Sequence, residues 1–311
     1  MHLYRHISHF KGSDRGVAIA IGNFDGFHKG HQAVISKMME KAQAMNLESA
    51  VMIFEPQPLE FFGRAIPPRL FTLRDKVKAF KKAGVEIVFC IPFRRAFSEL
   101  DAHEFVHDIL CRMLYVKSIT VGSLFSFGRG GVYTFKDLKE EADAEGIEAS
   151  CITAIAADDV RVSSTIVRTL IENGDFKTAY DLSGHEYIIS GKVVHGNELG
   201  RAIGFPTANV NLYRKVCALK GVYAVWAHTS YGTFKGVANV GVRPTVSDDN
   251  VKSLLEVHIV EFDNDLYGQE IEVEFVAKLR EERKFESLDK LVEQIGRDKA
   301  RAVELLSEIK K

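Results

Sequence analysis

The chain has 311 residues, 46% of them hydrophobic, and a formal net charge of −1 from 41 basic and 42 acidic side chains. This balance excludes a bulk nucleic-acid binder, which carries a basic surplus, and no apolar run approaches the ~20 residues of a membrane span. Four widely spaced cysteines without a CxxC pair exclude a zinc knuckle or a disulfide framework, and they predict a reducing, cytoplasmic location.

Buried strands and amphipathic helices alternate through the first half of the chain. Val17–Ile21 is wholly apolar and too short for an amphipathic helix, so it predicts a strand buried on both faces. Apolar residues at helical spacing follow over Gln32–Met45. Further strands are predicted at residues 49–54, 85–91, 118–121 and 149–155, and further helices at residues 73–83, 102–114, 135–145 and 164–181. The alternation predicts an α/β fold with a doubly wound parallel sheet, which binds ligands at the carboxyl ends of its strands.

The pattern changes after residue 183. Strand-like runs separated by glycine-rich or Asp/Asn-rich turns are predicted at residues 187–194, 221–228, 234–240, 254–262 and 271–277. Several of these runs alternate apolar and polar residues, as half-buried antiparallel strands do, and one helix follows at residues 288–309. The second half is therefore predicted to be an antiparallel sheet or small barrel with a terminal helix, and a chain of this length has room for two cores.

Two histidines lie where the first predicted strand passes into a helix. Gly22 ends the strand, residues 23–26 make a turn, and His28 and His31 follow three residues apart. Unpaired backbone N–H groups and the helix dipole favour anions at this place. The imidazoles therefore predict a phosphate site that stabilises the charge building on an attacked phosphorus. The alternative is that both histidines merely cap the helix.

A second helix start carries hydroxyls and a guanidinium. Residues 162–168 read VSSTIVR, in which Ser163 or Ser164 is a natural N-terminal cap. Capping alone does not account for the neighbouring Thr165 and Arg168. Together these groups are suited to the outer phosphates of a triphosphate.

Glycines recur every four residues in the second half of the chain, at Gly196, Gly200 and Gly204. This spacing allows backbone N–H groups to approach a phosphate closely, whereas a tight turn between strands needs only one glycine. Thr207 and Asn209 are separated by one residue in an extended segment, so their side chains point to one face. A hydroxyl and an amide oxygen are suitable ligands for Mg²⁺. The P-loop pattern GxxxxGK[ST] does not occur in the sequence.

These stretches resemble the motifs of known families. GNFDGFHKGH resembles the HxGH signature of the nucleotidylyltransferase superfamily, VSSTIVR resembles its ISSTxIR motif, and residues 196–209 resemble the riboflavin kinase motif GxxxGRxxGFPTAN. In this order, over nearly the whole chain, they resemble the bacterial bifunctional riboflavin kinase/FAD synthetase family. The resemblance implies an FMN adenylyltransferase domain over residues 1–183 and a riboflavin kinase domain over residues 184–311, the second a six-stranded antiparallel barrel with a terminal helix.

The resemblance also implies two ATP-consuming reactions, phosphorylation of riboflavin to FMN and adenylylation of FMN to FAD with release of pyrophosphate. Riboflavin, FMN, FAD and ATP are the implied partners, without nucleic acid or membrane, and Mg²⁺ is the implied cofactor that offsets triphosphate charge. Two alternatives are a kinase alone, with the adenylyltransferase weakened, and a flavin-binding regulatory module without turnover.

Residue roles follow from the same resemblance. The implied ATP contacts of the adenylyltransferase are Gly22, Asn23, Phe24, Asp25, His28, His31, Ser164, Thr165 and Arg168, with His28 and His31 catalytic. The implied ATP contacts of the kinase are Gly191, Lys192, Gly196, Gly200, Gly204, Thr207 and Asn209. Thr207 and Asn209 are the implied metal ligands, and Glu256 is the implied general base. Rival glutamates nearby are Glu261, Glu272 and Glu274.

The flavin loop departs from the family pattern. The implied flavin contacts are Phe125, Phe127, Arg280 and Phe285. The family usually carries an acidic or amide residue where this chain has Leu124, and Gly-Asp where it has Tyr133-Thr134. The altered polarity predicts a functional adenylyl transfer with weakened FMN binding.

Residues 103–107, HEFVH, match the HExxH pattern of zinc proteases. No third ligand follows at a usual spacing, and the same helix carries an ordinary packing stripe. A chance match is therefore the favoured interpretation, since a motif needs its structural context.

Overall fold

The computed structural model describes residues 1–63, 67–153, 156–157, 160–196, 200, 203–213, 217–243 and 252–309. The chain divides into two compact units, Met1–Pro67 with Leu73–Ser163, and Pro68–Thr72 with Ser164–Lys311. The predicted boundary between the two functional domains, after residue 183, stays a prediction.

A parallel sheet organises the first unit. Its strands are β1 (His2–Tyr4), β2 (Val17–Ile21), β3 (Glu48–Glu55), β4 (Ile87–Pro92), β5 (Val116–Gly122) and β6 (Glu148–Ile152). They lie in the order β1-β4-β3-β2-β5-β6, and every neighbouring pair is parallel. The predicted doubly wound sheet is confirmed, with β1 as an additional edge strand that its three-residue sequence was too short to indicate.

Helices cover both faces of this sheet. They are α1 (Lys29–Ala44), α2 (Pro58–Phe61), α3 (Leu73–Lys82), α4 (Arg95–Ser98), the π-helix α5 (Glu104–Met113) and α6 (Phe135–Ala144). Along β2, Ile19 packs with α5 and α6, whereas Ala18 and Ala20 pack with α1 and Phe80 of α3. β2 is therefore buried on both faces, which explains its unbroken apolar sequence. Residues 156–157 and 160–161 form a small antiparallel pair, β7 (Ala156–Ala157) and β8 (Val160–Arg161).

The strand order reverses beside β2. The chain passes from β2 to β3 on one side and returns to β5 on the other side. In open α/β sheets, ligands bind in the crevice outside the carboxyl ends of the strands at such a reversal. The segments that follow β2 and β5 are the histidine turn and the loop around Phe125 and Phe127.

The second unit begins with two helices where one was predicted over residues 164–181. Gly174 has a φ of +80° and separates α7 (Ser164–Asn173) from α8 (Phe176–Ser183), whose first turn is capped by Asp175. Phe176 then packs against rings of the following barrel, Tyr223 at 5.9 Å and Phe275 at 6.1 Å between centroids.

A closed six-stranded barrel follows, as predicted. Its strands are β9 (Ile188–Val194), β10 (Ala208–Val210), β11 (Gly221–Thr229), β12 (Gly232–Arg243), β13 (Lys252–Ile259) and β14 (Glu270–Arg280). They close in the order β10-β13-β12-β11-β14-β9 with antiparallel pairing throughout. The terminal helix α9 (Leu288–Ser307) packs Ala302 and Leu306 against Val222, Ala224 and Trp226 on the outside of β11.

In the parts of the chain that the structure describes, no helix combines the length and apolar character needed to cross a membrane.

Candidate active sites

The turn after β2 has an unusual backbone. Phe24 and Phe27 have φ values of +48° and +39°, in the left-handed region that residues other than glycine rarely adopt. Both rings pack against Phe80 of α3, with centroid distances of 5.5 Å and 5.8 Å. Aromatic packing therefore holds the turn in a conformation that is costly on its own, a situation common at functional sites.

His28 is the N-cap of α1. Its Nδ1 accepts a hydrogen bond from the backbone N–H of His31, with an N···N distance of 3.3 Å. His28 therefore caps the helix through Nδ1, and Nε2 is its ring donor. Gly30 makes room for the ring, because a Cβ at that position would lie 3.0 Å from Cε1 of His28.

His31 lies in the first turn of α1 and stacks on His28, with ring centroids 3.7 Å apart and an interplanar angle of 18°. Burial lowers the pKa of His31 well below its usual value, and the nearby charges of His28 and Lys76 lower it further. Within the described residues, the buried Nδ1 of His31 has no hydrogen-bond partner. A neutral imidazole of this kind binds an anion by donating a hydrogen bond and not by carrying charge.

Lys76 is a site residue that the motifs did not identify. It lies on α3, on the same face as the buried Phe80 one turn later, and only 1% of the residue is exposed. A sequence signal was present, because Lys76 lies at helical spacing between Leu73 and Phe80, which both pack in the core.

An aromatic pocket lies beside the loop that follows β5. It is lined by Phe54, Pro58, Phe62, Phe93, Phe97, Ser98, Leu100, Phe105, Phe125, Ser126, Phe127, Gly128 and Gly131. Phe127 lies between Phe105 and Phe125, at centroid distances of 5.2 Å and 5.5 Å. The structure thus brings the predicted flavin residues Phe125 and Phe127 together in one apolar cavity. Its other rings come from segments far apart in the sequence, which is why the motifs missed them.

The departures from the family pattern lie at the edge of this pocket. Leu124 is 71% exposed and is not among the lining residues. Tyr133 packs against Phe127 with ring centroids 5.6 Å apart. Thr134 caps α6 in a reciprocal pair of hydrogen bonds with Asp137. These residues build the loop and do not add a polar group to the cavity.

The second helix start belongs to the second unit. Ser164, Thr165 and Arg168 all lie in the first five residues of α7, whereas His28 and His31 belong to the first unit. Thr165 is exposed and Arg168 is buried, with Nε of Arg168 donating to the carbonyl oxygen of Pro68 at 2.7 Å. The helix start therefore has the predicted polar groups, and one of them is already fixed by the backbone of residue 68.

A polar row crosses three strands of the barrel. Glu256 on β13 lies directly opposite Asn209 on β10 and opposite Asn239 on β12. Residues directly opposite on paired strands share a face, with Cβ atoms about 4.5–5.5 Å apart. The buried Oδ1 of Asn239 has no hydrogen-bond partner among the described residues. Asn239 was not predicted, because only the strand register brings it beside Glu256.

The rival glutamates have other surroundings. Glu274 is buried, and its carboxylate lies 2.9 Å from Nε2 of His228. Glu261 is exposed at a turn after β13. Glu272 lies on β14 opposite Ser190 and His228. Of the four, Glu256 is the one in register with the predicted metal ligand Asn209.

The predicted glycines approach the protein's own side chains. A Cβ at Gly196 would lie 2.2 Å from Nδ2 of Asn209, and one at Gly200 would lie 3.3 Å from the hydroxyl of Thr207. Gly191 faces the carbonyl oxygen of Asn211, which would lie 2.2 Å from a Cβ. Gly204 has open space around it but a φ of +83°. The remaining motif residues 197–199 and 201–202 lie outside the described residues.

A pocket of ≈ 420 Å³ lies at the end of the barrel where Thr207 is found. Its lining includes the carboxylates of Asp263 and Asp265. His258 fixes this end of the segment, because its Nδ1 lies 2.9 Å from the carbonyl oxygen of Pro206. Burial lowers the pKa of His258, so the neutral ring donates from Nδ1. The exposed Lys192 is not part of the lining.

Arg280 and Phe285 are neighbours with structural partners. The guanidinium of Arg280 makes an ion pair with the buried Asp298 of α9 at 2.8 Å and donates to the carbonyl oxygen of Glu281 at 3.0 Å. It also lies 5.5 Å from the ring centroid of Phe285. These contacts attach α9 to β14, and the flavin role of both residues stays a prediction.

The HEFVH segment does not form a metalloprotease site. The carboxylate of Glu104 accepts from the backbone N–H of Asp101 at 2.9 Å, and the imidazoles of His103 and His107 pair with Glu141 and Glu145. Across the described residues, no group of three or more His, Cys, Asp or Glu side chains is placed to hold a metal ion.

Comparison with known proteins places both halves of the chain among flavin enzymes. A model of the FAD synthetase family matches residues 10–166, and a model of the riboflavin kinase family matches residues 183–306. A bifunctional riboflavin kinase/FMN adenylyltransferase of Haemophilus influenzae is 44% identical over 286 residues, which cover 91% of this chain and 92% of that protein. Its counterpart in Escherichia coli K12 is 43% identical over 291 residues, with coverage of 93% and 92%.

A solved structure has the same two-part architecture. A Streptococcus pneumoniae protein, described as a macrolide-efflux protein, is 29% identical and has a TM-score of 0.80. The likeness covers 96% of this chain and 97% of that chain.

Proposed function

The chain belongs to the bifunctional riboflavin kinase/FMN adenylyltransferase family, and from this membership we propose how its residues divide the two reactions. The protein phosphorylates riboflavin to FMN and adenylylates FMN to FAD, using ATP in both steps. We assign adenylylation to residues 1–183 and phosphorylation to residues 184–311. The observation that carries the first assignment is the stacked histidine pair at the strand reversal. The in-register row around Glu256 carries the second.

In adenylylation, a phosphate oxygen of FMN attacks the α-phosphorus of ATP and pyrophosphate leaves. His28 and His31 donate hydrogen bonds from fixed rings to the phosphate oxygens, where negative charge increases in the transition state. The backbone N–H groups at the start of α1 add to this field. The predicted nucleotide contacts Gly22, Asn23, Phe24 and Asp25 form the same turn. A role of Ser164, Thr165 and Arg168 at the triphosphate tail stays a prediction from the motif that they form.

The aromatic pocket binds part of the flavin ring. Its volume is ≈ 130 Å³, below the ~300 Å³ of a typical small-molecule site, so it holds one edge of a tricyclic ring. Phe125 and Phe127 give this edge stacking surface. The exposed Leu124 leaves the loop without an acidic or amide group, which supports weakened FMN binding.

In phosphorylation, Glu256 accepts the proton of the ribityl hydroxyl as the γ-phosphoryl group transfers to its oxygen. Asn209 and Asn239 flank the carboxylate across neighbouring strands and limit its orientations. Gly196 and Gly200 allow the chain to close over Asn209 and Thr207. His258 holds the carbonyl of Pro206 and thereby positions Thr207.

The kinase residues fit Mg²⁺. Thr207 and Asn209 present hard oxygen ligands, and the buried Oδ1 of Asn239 is a further oxygen in the row. Asp263 and Asp265 would repel a triphosphate unless a cation accompanied it. When bound, Mg²⁺ offsets phosphate charge. A cytoplasmic location, favoured by the four dispersed cysteines, belongs to the same proposal.

The test is a separation of flavins after incubation of the full chain with riboflavin, ATP and Mg²⁺. Wild-type protein is expected to yield FMN and FAD, and His31→Ala to yield FMN alone. Glu256→Gln should form FAD only when FMN is supplied. A His31→Ala variant that still made FAD at the wild-type rate would remove the histidine from the site.

A further inference from the structure

Lys76 is a buried cation to which the mechanism above gives no role. Lysine is among the residues least often fully buried, because removing an ammonium group from water is costly unless other groups offset the loss of hydration. Here 1% of the residue is exposed, in the middle of the inward face of α3. A position that packing alone would fill with an apolar side chain therefore carries a charge.

The face of α3 that carries Lys76 packs against the histidine turn that follows β2. Phe80, one helical turn beyond Lys76, contacts the rings of Phe24 and Phe27. Phe24 in turn packs edge-on against His31, with ring centroids 5.3 Å apart. Since residues four apart share a helix face, the side chain of Lys76 lies on the side of α3 that holds the histidine turn.

The electrostatics agree with this placement. The charge of Lys76 is one of the causes that lower the pKa of His31, after burial and the neighbouring His28. The ammonium is therefore close enough to act on the imidazole. A charge in a water-poor site acts more strongly on a ligand than an exposed one, and a neutral His31 supplies no positive charge of its own.

We propose that Lys76 binds the triphosphate of ATP in the adenylyltransferase site. Its ammonium offsets charge while the FMN phosphate oxygen bonds to the α-phosphorus and the bond from that phosphorus to the bridging oxygen breaks, releasing pyrophosphate. His28 and His31 donate directed hydrogen bonds, and Lys76 provides a fixed positive charge. The inference rests on the proposed phosphate role of the two histidines.

The experiment measures both activities of the full chain separately. Adenylylation is followed as pyrophosphate released from supplied FMN and ATP, and kinase activity as total FMN plus FAD formed from riboflavin. Lys76→Met is expected to lower kcat/KM for ATP in adenylylation by about 100-fold, as does loss of one transition-state donor. Its kinase activity stays within about twofold of wild type. Lys76→Arg retains the charge and should recover at least about tenfold of the loss.

Lys82→Met is the matched control, because it removes the same charge from an exposed position on the same helix. Both of its activities should equal wild type. His31→Ala is measured beside the lysine variants. If His31→Ala loses adenylylation and Lys76→Met does not, the lysine proposal is overturned and the histidine site stands. If neither variant loses it, the proposed site itself fails.

Folding of each variant is checked by circular dichroism and thermal unfolding. Should Lys76→Met not fold, Lys76→Gln takes its place with the same expected loss. If both neutral variants are unfolded while Lys76→Arg is folded, the charge serves the fold and the proposal is overturned.

Discussion

The two sites of this chain are assembled in opposite ways. In the parallel-sheet unit, the histidine turn is one continuous stretch from β2 into α1, and its histidines are three residues apart. In the barrel, Asn209, Asn239 and Glu256 come from three strands and meet only through register. Their proposed chemistry differs as well, since the turn offers imidazole and backbone N–H groups, and the barrel offers one carboxylate between two amide side chains. A contiguous site can be read from a motif, whereas a register-dependent site needs the fold.

The largest expected effect tests the row across the barrel. Glu256→Gln removes the base but keeps the shape, so kinase kcat should fall by about 1,000-fold with ATP binding little changed. Steady-state FMN formation and calorimetric ATP titration measure the two quantities. Glu261→Gln, at an exposed turn, is the control and should keep full activity. An unchanged kcat in Glu256→Gln would take this carboxylate out of the mechanism.

A smaller effect is expected from the glycine that closes over the row. In Gly196→Ala, the new Cβ would meet Nδ2 of Asn209 at 2.2 Å and displace the amide. Because a misplacement of about 1 Å can cost about 100-fold in rate, kinase kcat should fall by this order, while adenylylation of supplied FMN continues. Gly296→Ala adds the same methyl where nothing lies within 4 Å and should alter neither rate. Equal kinase rates in the two variants would contradict the contact.

The aromatic pocket gives a more modest prediction for the first unit. Phe125→Ala should raise KM for FMN in adenylylation by about tenfold, equivalent to ~1.4 kcal/mol, because stacking surface is lost. Initial rates of pyrophosphate release at varied FMN provide the value. Leu124→Ala, at the neighbouring exposed position, should leave KM unchanged. A larger effect from Leu124 than from Phe125 would move the flavin out of the pocket.

The smallest expected effect is on the free energy of unfolding, to which one buried histidine in each unit contributes in the same direction. Burial lowers the pKa of His31 and of His258, so the unfolded chain takes up protons on these residues at a higher pH than the folded chain. The stability they contribute is present above the unfolded value of about 6.5 and is lost as the pH falls below it. Each contributes at most ~1.4 kcal/mol per pH unit. Urea unfolding at several pH values measures the slope.

His258→Gln should reduce that slope, and the exposed His9→Gln should not. Identical slopes in the two variants would mean that His258 is not buried in its neutral form.

Much of the fold follows from sequence patterns because most elements carry a periodicity of their own. The exceptions have physical reasons. β1 and β10 have only three residues each, too few for any alternation to be seen. The predicted helix over residues 164–181 divides because Gly174 adopts a left-handed conformation that propensity does not reveal.

In the candidate sites too, the sequence indicates the residues that lie close together along the chain. His28 and His31 are found from sequence because strand, turn and helix start are adjacent. Asn239 and the phenylalanines of the pocket are not found from sequence. Strand pairing brings Asn239 beside Glu256, and the packing of distant segments brings the phenylalanines together. Lys76 is an intermediate case. A charged residue between apolar ones is visible in the sequence, but its closeness to His31 is not.

Phe176 has a practical consequence for dissecting the enzyme. Its ring packs against those of Tyr187, Tyr223 and Phe275, although it lies before the boundary that motifs suggest. A kinase fragment cut at residue 184 would lose this ring and uncover apolar surface on the barrel, which favours aggregation. Fragments intended to isolate phosphorylation should therefore begin ahead of Asp175, where the capped start of α8 is kept.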